Sequence, residues 1–156
     1  MKQFIYCVRQ QAWSAAEVEP VLVLTSFGQL VRWCPSLLRV LGTKEFCKFA
    51  IKLLRGDKAI YFYQQAGQIQ SYGIITFGYC KLYQVDNTDA VIGPVNTLAS
   101  FQGKGLATKT LKAAVHWLFT ERQCQAVYID TSELNHPMQQ VIRKSGFPEA
   151  IGYFTR

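Results

Sequence analysis

What this chain lacks narrows the reading before any motif is considered. No apolar run approaches the roughly 18 residues that a membrane helix needs, and clean stretches such as Val21 to Leu24 are far shorter. The amino terminus, Met1-Lys2-Gln3-Phe4, opens in alternation and not in the apolar block of a signal peptide. Charged residues are scarce at 17%, while 49% are hydrophobic. That balance excludes a disordered chain, which combines low hydrophobicity with high charge. Five cysteines, at 7, 34, 47, 80 and 124, are odd in number and include no Cys-x-x-Cys pair. A disulfide framework and a zinc knuckle are both disfavoured. Cys7, Cys47, Cys80 and Cys124 stand among apolar residues and are expected to be buried thiols. Two histidines, His116 and His136, are too few for a histidine-based metal site without carboxylate help. Internal repeats, low-complexity tracts and linkers are missing as well. One cytoplasmic domain over residues 1–156 is expected, long enough to bury a core.

What is present is positive charge. Seventeen Lys and Arg face ten Asp and Glu, a formal charge of +7. Seven of the cations (Arg32, Arg39, Lys44, Lys48, Lys52, Arg55, Lys58) lie between residues 32 and 58. Nucleic acid, an anionic membrane surface and a polyphosphate ligand are the partners to weigh. The aromatics lie in hydrophobic strand patterns and are not interleaved with Arg and Gly, which disfavours nucleic acid.

Periodicity gives the elements. Gln3 to Arg9 alternates as a strand. Residues 13 to 42 suggest short helical pieces, with a capping box at Ser14-x-x-Glu17 and an interruption at Pro20. Phe46, Phe49, Ala50, Leu53 and Leu54 recur at three and four, predicting a helix over 43–55 capped by Thr43 and closed at Gly56. Its basic stripe (Lys44, Lys48, Lys52, Arg55) reads as a solvated face or an anion contact. Lys58 to Gln65 and Gln68 to Phe77 read as strands joined by a turn at Ala66-Gly67. A strand over 88–99 contains Gly93-Pro94 and should be irregular there. A helix follows to about Glu121, then a strand over 125–131, a helix over 135–144 and a last strand within 147–154. The order is a mixed α/β pattern and not a repeated βαβ ladder.

The chemistry concentrates at Thr97 to Ala107, where a strand enters a glycine-containing loop that opens straight into a helix. A helix start offers unpaired N–H groups and the positive end of the dipole. Glycines let the backbone approach a bound anion, so phosphate or pyrophosphate is a fitting ligand. Neither the Walker loop nor the dinucleotide fingerprint fits the spacing; a plain tight turn is the bland alternative. Gln102-Gly103-Lys104-Gly105-Leu106-Ala107 does match Gln/Arg-x-x-Gly-x-Gly/Ala. Downstream runs Asn135-His136-Pro137-Met138-Gln139-Gln140-Val141-Ile142-Arg143-Lys144-Ser145-Gly146-Phe147. The two together, at this separation, resemble the GCN5-related N-acetyltransferase (GNAT) superfamily over residues 88–147, and the earlier element order agrees.

The resemblance implies an α/β fold of the α+β type: a mixed, mostly antiparallel central sheet flanked by helices, here with a short C-terminal end. It implies transfer of an acetyl group from acetyl-coenzyme A directly to an amine on a small molecule or protein. Gln102, Gly103, Lys104, Gly105, Leu106 and Ala107 would hold the pyrophosphate. Thr97, Leu98 and Ala99 would pair through their backbone with the pantetheine arm, and Val95 and Asn96 would flank the reactive end. Asn135 would bond the cofactor, cap its helix, or both. Lys104, Lys109 and Arg143 would frame the phosphates. Two usual groups are missing: the position of the thiolate-protonating Tyr is Ile142, and that of the Glu base is Val91. Asp89 is the nearest acid and the candidate catalytic residue, with a turn carboxylate as its plain alternative. Asp130 and His136 are further candidates, from the next strand end and helix start. Without catalytic groups the domain would be an acyl-coenzyme A binding module. Only nine residues follow Phe147 where the family adds two strands, so a strand is either absent or lent by a second copy in a homodimer.

Overall fold

The run Ala59-Ile60-Tyr61-Phe62 is fully buried, which requires cover on both faces of the strand that holds it. The helices supply that cover. A computed structural model describes residues 1–14 and 17–156. Along the chain run β1 (Lys2–Arg9), β2 (Leu22–Leu24), α1 (Phe27–Leu41), α2 (Thr43–Leu54), β3 (Lys58–Gln65), β4 (Gln68–Phe77), β5 (Ala90–Thr97), α3 (Leu106–Thr120), β6 (Ala126–Ser132), α4 (His136–Lys144) and β7 (Gly152–Thr155). The strands form one sheet in the order β2-β3-β4-β5-β6-β1-β7. Neighbours pair antiparallel except β5 with β6. This is the mixed, mostly antiparallel sheet expected from the motifs.

Alternation along β3 divides the core. Ala59 and Tyr61 point to the face packed by Leu111, Ala114, Val115 and Leu118 of α3 and by Ile142 of α4. Ile60 and Phe62 point to the other face, against Leu30 and Leu37 of α1 and Phe49 and Leu53 of α2. Each buried Leu, Ile, Val or Phe here contributes roughly 1.5–3 kcal/mol of burial. At Gly73, directly opposite Tyr61, an added Cβ would collide with the Tyr61 ring and hydroxyl, so the tyrosine fills the place of a side chain.

Several expectations need correcting. Residues 27–41 form one helix of 15 residues, not short pieces, and it carries Pro35 in its interior. The apolar spacing Leu30, Trp33, Leu37, Val40 outweighs the lost N–H. Its capping box is Ser26 with Gln29; the one expected at Ser14 to Glu17 spans Ala15 and Ala16, outside the described residues. Thr43 is the first residue of α2 and makes no capping bond. Leu54 is exposed, because Phe49 and Leu53 already fill the buried stripe. Cys47 is exposed and Cys80 half-buried, whereas Cys7 and Cys124 are buried and burial raises both thiol pKa values. The turn at Ala66-Gly67 is present, both residues having positive φ.

The largest difference lies at the carboxyl end. Only one short strand, β7, follows α4, yet no gap results. The amino-terminal strand β1 lies between β6 and β7, paired antiparallel to both. The sheet is thus continuous from β6 through β1 to β7 within the one chain.

Candidate functional site

β5 ends at Thr97, and a one-turn 3-10 helix, Ala99–Phe101, leads into the loop. Gln102 folds back, its Nε2 donating to the Thr97 carbonyl at 3.1 Å. Gly103 and Gly105 have φ of +77° and +74°, the left-handed region that L side chains avoid. A Cβ at either would meet open space, so backbone conformation and not crowding demands glycine there. Gly105 is the N-cap of α3 and makes no side-chain cap bond, and the first turn contains no acid. Its N–H groups and dipole end are left for an outside partner.

The facing wall is α4. Asn135 caps it, Oδ1 accepting from the Met138 N–H at 3.2 Å. Wholly buried Ser145 ties its end to the first turn of α3, donating to Val141 O at 2.7 Å and lying 3.3 Å from Thr108 O. Between loop and helix lies a cleft of about 550 Å³. It brings together Val95, Asn96, Thr97, Gln102, Gly103, Gly105, Leu106, Ala107 and Asn135 from the expected set. Leu98, Ala99 and Lys104 do not line it. Leu98 N–H donates to Gln70 O and its carbonyl accepts from Phe101, while Ala99 O accepts from Gln102. Lys104 Nζ lies 5.4 Å from the Phe101 ring centroid. Lys109 is engaged with Glu19 at 2.8 Å and Arg143 with Glu149 at 3.4 Å. The cation on the cleft is Lys144, one residue and about 100° around the helix from Arg143. Thr108, Gln140 and Val141 also line the cleft. The spacing Pro137, Gln140/Val141, Lys144 was the available signal for this second wall.

Among the described residues, the strand edge onto which the cleft opens has no partner. β5 and β6 pair only over Ala90–Ile92 and Val127–Ile129. Beyond that point comes the cis peptide Gly93-Pro94, and Pro94 has no N–H to donate. On its other edge β5 stays paired with β4 as far as Thr97, with a register shift between Gly73 and Ile75. Buried Ser71 locks this corner, its Oγ lying 3.0 Å from Thr97 Oγ1, 3.3 Å from Thr110 Oγ1 and 3.3 Å from Asn96 O. The edge of β5 beyond its pairing with β6 is therefore centred on Val95 to Thr97.

A second chamber, of about 300 Å³, fills the splay between β5 and β6 and shares Val95, Asn135 and Met138 with the cleft. Asp130 lines it. Tyr83, from the segment joining β4 to β5, donates its hydroxyl to Asp130 Oδ1 at 3.1 Å. Burial raises the Asp130 pKa, and the Tyr83 bond works against that rise. Burial and the neighbouring Asp130 raise the Tyr83 pKa. Asp89 is elsewhere: it precedes β5, eight residues or on the order of 25 Å of strand before Thr97. It is buried, and its Oδ2 accepts from the Asp86 N–H at 3.3 Å, closing a turn. His136 is exposed and outside both cavities. Ile142 is wholly buried in the core and Val91 lies within the paired part of β5, so neither position offers a proton. Among the described residues, no three His, Cys, Asp or Glu side chains stand together as metal ligands, and no helix is long and apolar enough to cross a membrane.

The acetyltransferase (GNAT) domain model matches residues 10–148, and the chain belongs to that family. A GNAT-family acetyltransferase from Colwellia psychrerythraea superposes with a TM-score of 0.64 at 18% identity, over 94% of this chain and 52% of that one. The aminoglycoside N-acetyltransferase AAC(6')-Iy, in complex with a coenzyme A bisubstrate analogue, gives 0.63 at 19% identity over 88% and 99%. A tandem GNAT protein from the clavulanic acid biosynthesis pathway gives 0.66 at 15% over 96% and 50%. The chain spans about half the length of the first and third of these. Identities this low show likeness of fold. No curated protein matches the sequence.

Proposed function

We propose that the protein is an acetyl-coenzyme A dependent N-acetyltransferase that acetylates a primary amine. The observation that carries this reading is the uncapped start of α3, reached through two left-handed glycines and set beside the unpaired edge of β5. Amides of residues 103–107 and Lys144 would hold the pyrophosphate, and amides are worth most for an anion where a dipole points the same way. The edge at Val95 to Thr97 would take the amide-bearing arm as an added strand. This brings the thioester to the splay, where backbone N–H groups can polarise its carbonyl. Binding both reactants in one cleft supplies most of the rate, since positioning alone can be worth about 7–11 kcal/mol. Calorimetry with acetyl-coenzyme A tests the cofactor, and thiol release with an amine panel tests turnover. No heat of binding would sink the proposal.

A non-catalytic acyl-coenzyme A module is the second reading, favoured by Ile142 in the core and Val91 in the ladder. Tight acetyl-coenzyme A binding with no amine-dependent thiol release would establish it instead. The basic surface of α1 and α2 is partly neutralised: Lys48 pairs with Glu45 at 3.0 Å and Arg55 with Asp57 at 3.4 Å.

A further inference from the structure

The splay between β5 and β6 holds one acid for which the cofactor cleft has no use. Asp130 is half-buried, one oxygen held by Tyr83. Among the described residues no group donates to Oδ2. The chamber it lines is otherwise walled by apolar Ile92, Pro94, Val95 and Met138 and by uncharged polar Gln3, Thr131, Ser132 and Asn135, and it joins the place to which the reactive end of the cofactor would come. Resting on the acetyl-transfer reading, we infer that Asp130 binds the acceptor as a single ammonium ion and takes its proton, with Tyr83 as the positioning residue.

Charge defines the acceptor class. Of ten acids in the chain, Asp130 is the one on this chamber. Glu133, which accepts the Lys2 N–H at 2.9 Å, lies outside the chamber lining, Glu149 is paired with Arg143, and Asp89 closes a distant turn. A second ammonium would find no carboxylate there and would meet a protein of net charge +7. The acceptor is a small monoamine, not a polycation such as an aminoglycoside.

The proton balance closes. The ammonium gives one proton to Asp130 Oδ2, and the freed lone pair attacks the thioester carbonyl carbon. The C–N bond forms and the C–S bond breaks. The amine's second proton leaves on the coenzyme A thiol, and Asp130 returns its proton to water. Burial assists, because it raises a carboxylate pKa and lowers that of an ammonium, narrowing the gap between them. The groups acting on Asp130 are Tyr83, with Cys80 beside it, and Arg156 at the chain end. From β1 the residue opposite is Ile5, and from β5 the chamber walls are Ile92, Gly93 and Pro94, none of which titrates.

The test is steady-state thiol release from acetyl-coenzyme A with n-butylamine, 2-phenylethylamine and tobramycin, beside calorimetry of acetyl-coenzyme A. Both monoamines should be substrates, with kcat/KM at least tenfold above that of tobramycin. Asp130→Asn should lower kcat/KM for the monoamines by about 100-fold or more and leave the acetyl-coenzyme A affinity within about twofold. Tyr83→Phe removes the bond that favours the carboxylate, so the acid limb of the pH profile should move to higher pH. A merely structural Tyr83 would not move it, and melting curves check that the variant folds. The inference is overturned if Asp130→Asn keeps activity within threefold of the parent. It is equally overturned if tobramycin is the better substrate, or if the parent binds acetyl-coenzyme A yet releases thiol with neither monoamine. Failure of the parent to bind acetyl-coenzyme A would overturn the acetyl-transfer reading itself.

Discussion

The cofactor cleft and the chamber beside it are built in opposite ways. The cleft comes from two nearly contiguous stretches, 95–108 and 135–144, each a loop or strand end running into a helix. The chamber and its acid draw on six separate places: Gln3 in β1, the 92–95 bend, Tyr83 in the loop after β4, β6, the start of α4 at Asn135 and Met138, and Arg156 at the chain end. A site made of local geometry depends on a few backbone conformations. A site made of distant strands depends on the whole sheet being assembled in order. Damage to the loop should therefore abolish cofactor binding and spare the fold, while damage to β1 should unfold the chamber first.

The largest effect should come from Ile5→Pro. Ile5 sits in the middle of β1, opposite Asp130 of β6 and Gly152 of β7, and its carbonyl accepts from Ile151 at 2.8 Å. Proline there removes a ladder donor from a strand with neighbours on both sides and adds a ring clash, a cost of roughly 3 kcal/mol. The melting temperature should fall by about 6–12 °C. Hydrogen exchange should rise in β6 and β7 well before α3, and uniform loss of protection would erase the contrast between the two sites. Gly105→Val comes next. A β-branched residue at φ +74° costs about 1–3 kcal/mol in strain, and its side chain would occupy the space left for phosphate. Acetyl-coenzyme A affinity should drop by about 100-fold or more by calorimetry, with the sheet intact by circular dichroism.

The same contrast explains what could be read from the chain. Gly103 and Gly105 ahead of a helical pattern state their conformation locally, so the loop and the element carrying it were legible. Asn135 and Pro137 likewise announced the start of α4. Strand partnership was not legible, because period-two alternation in Gln3 to Arg9 says that a strand exists and nothing about its neighbours. The place of β1 between β6 and β7 could not be read for that reason, nor could the reach of Tyr83 to Asp130, residues 47 apart in sequence. Asp89 is the acid nearest Val91 along the strand, yet eight residues of extended chain separate it from Thr97, where the strand meets the loop. Lys144 and not Arg143 faces the cleft, a matter of helical phase relative to a wall that sequence spacing does not specify.

A smaller effect sharpens the electrostatics of the cleft. Lys144→Ala should weaken acetyl-coenzyme A binding by about fivefold at low salt, the worth of roughly 1 kcal/mol for a part-exposed ionic contact. The difference should shrink as salt is added. Arg143→Ala removes a cation already paired with Glu149 at 3.4 Å and outside the cleft lining, so its effect on affinity should fall within experimental scatter. Equal losses from the two would mean that net charge and not the lined surface sets affinity.

The smallest effect is on stability, and it concerns the chamber's acid. Burial raises the folded-state pKa of Asp130 above its unfolded value of 3.8. Between those two values the folded protein binds more protons at this group than the unfolded chain does. Its contribution to stability is therefore greatest below pH 3.8 and is lost as pH rises through the folded-state pKa. Asp130→Asn keeps the shape and removes the titration. Melting temperatures of parent and variant, followed upward from pH 4, should diverge in the variant's favour over that window and run parallel above it. The Tyr83 hydroxyl, which favours the ionised form, limits the divergence, so Tyr83→Phe should widen it. A parent that gains stability relative to Asp130→Asn as pH rises would show that the Tyr83 bond outweighs burial, and the acid would then be held ionised for binding at the expense of its strength as a base.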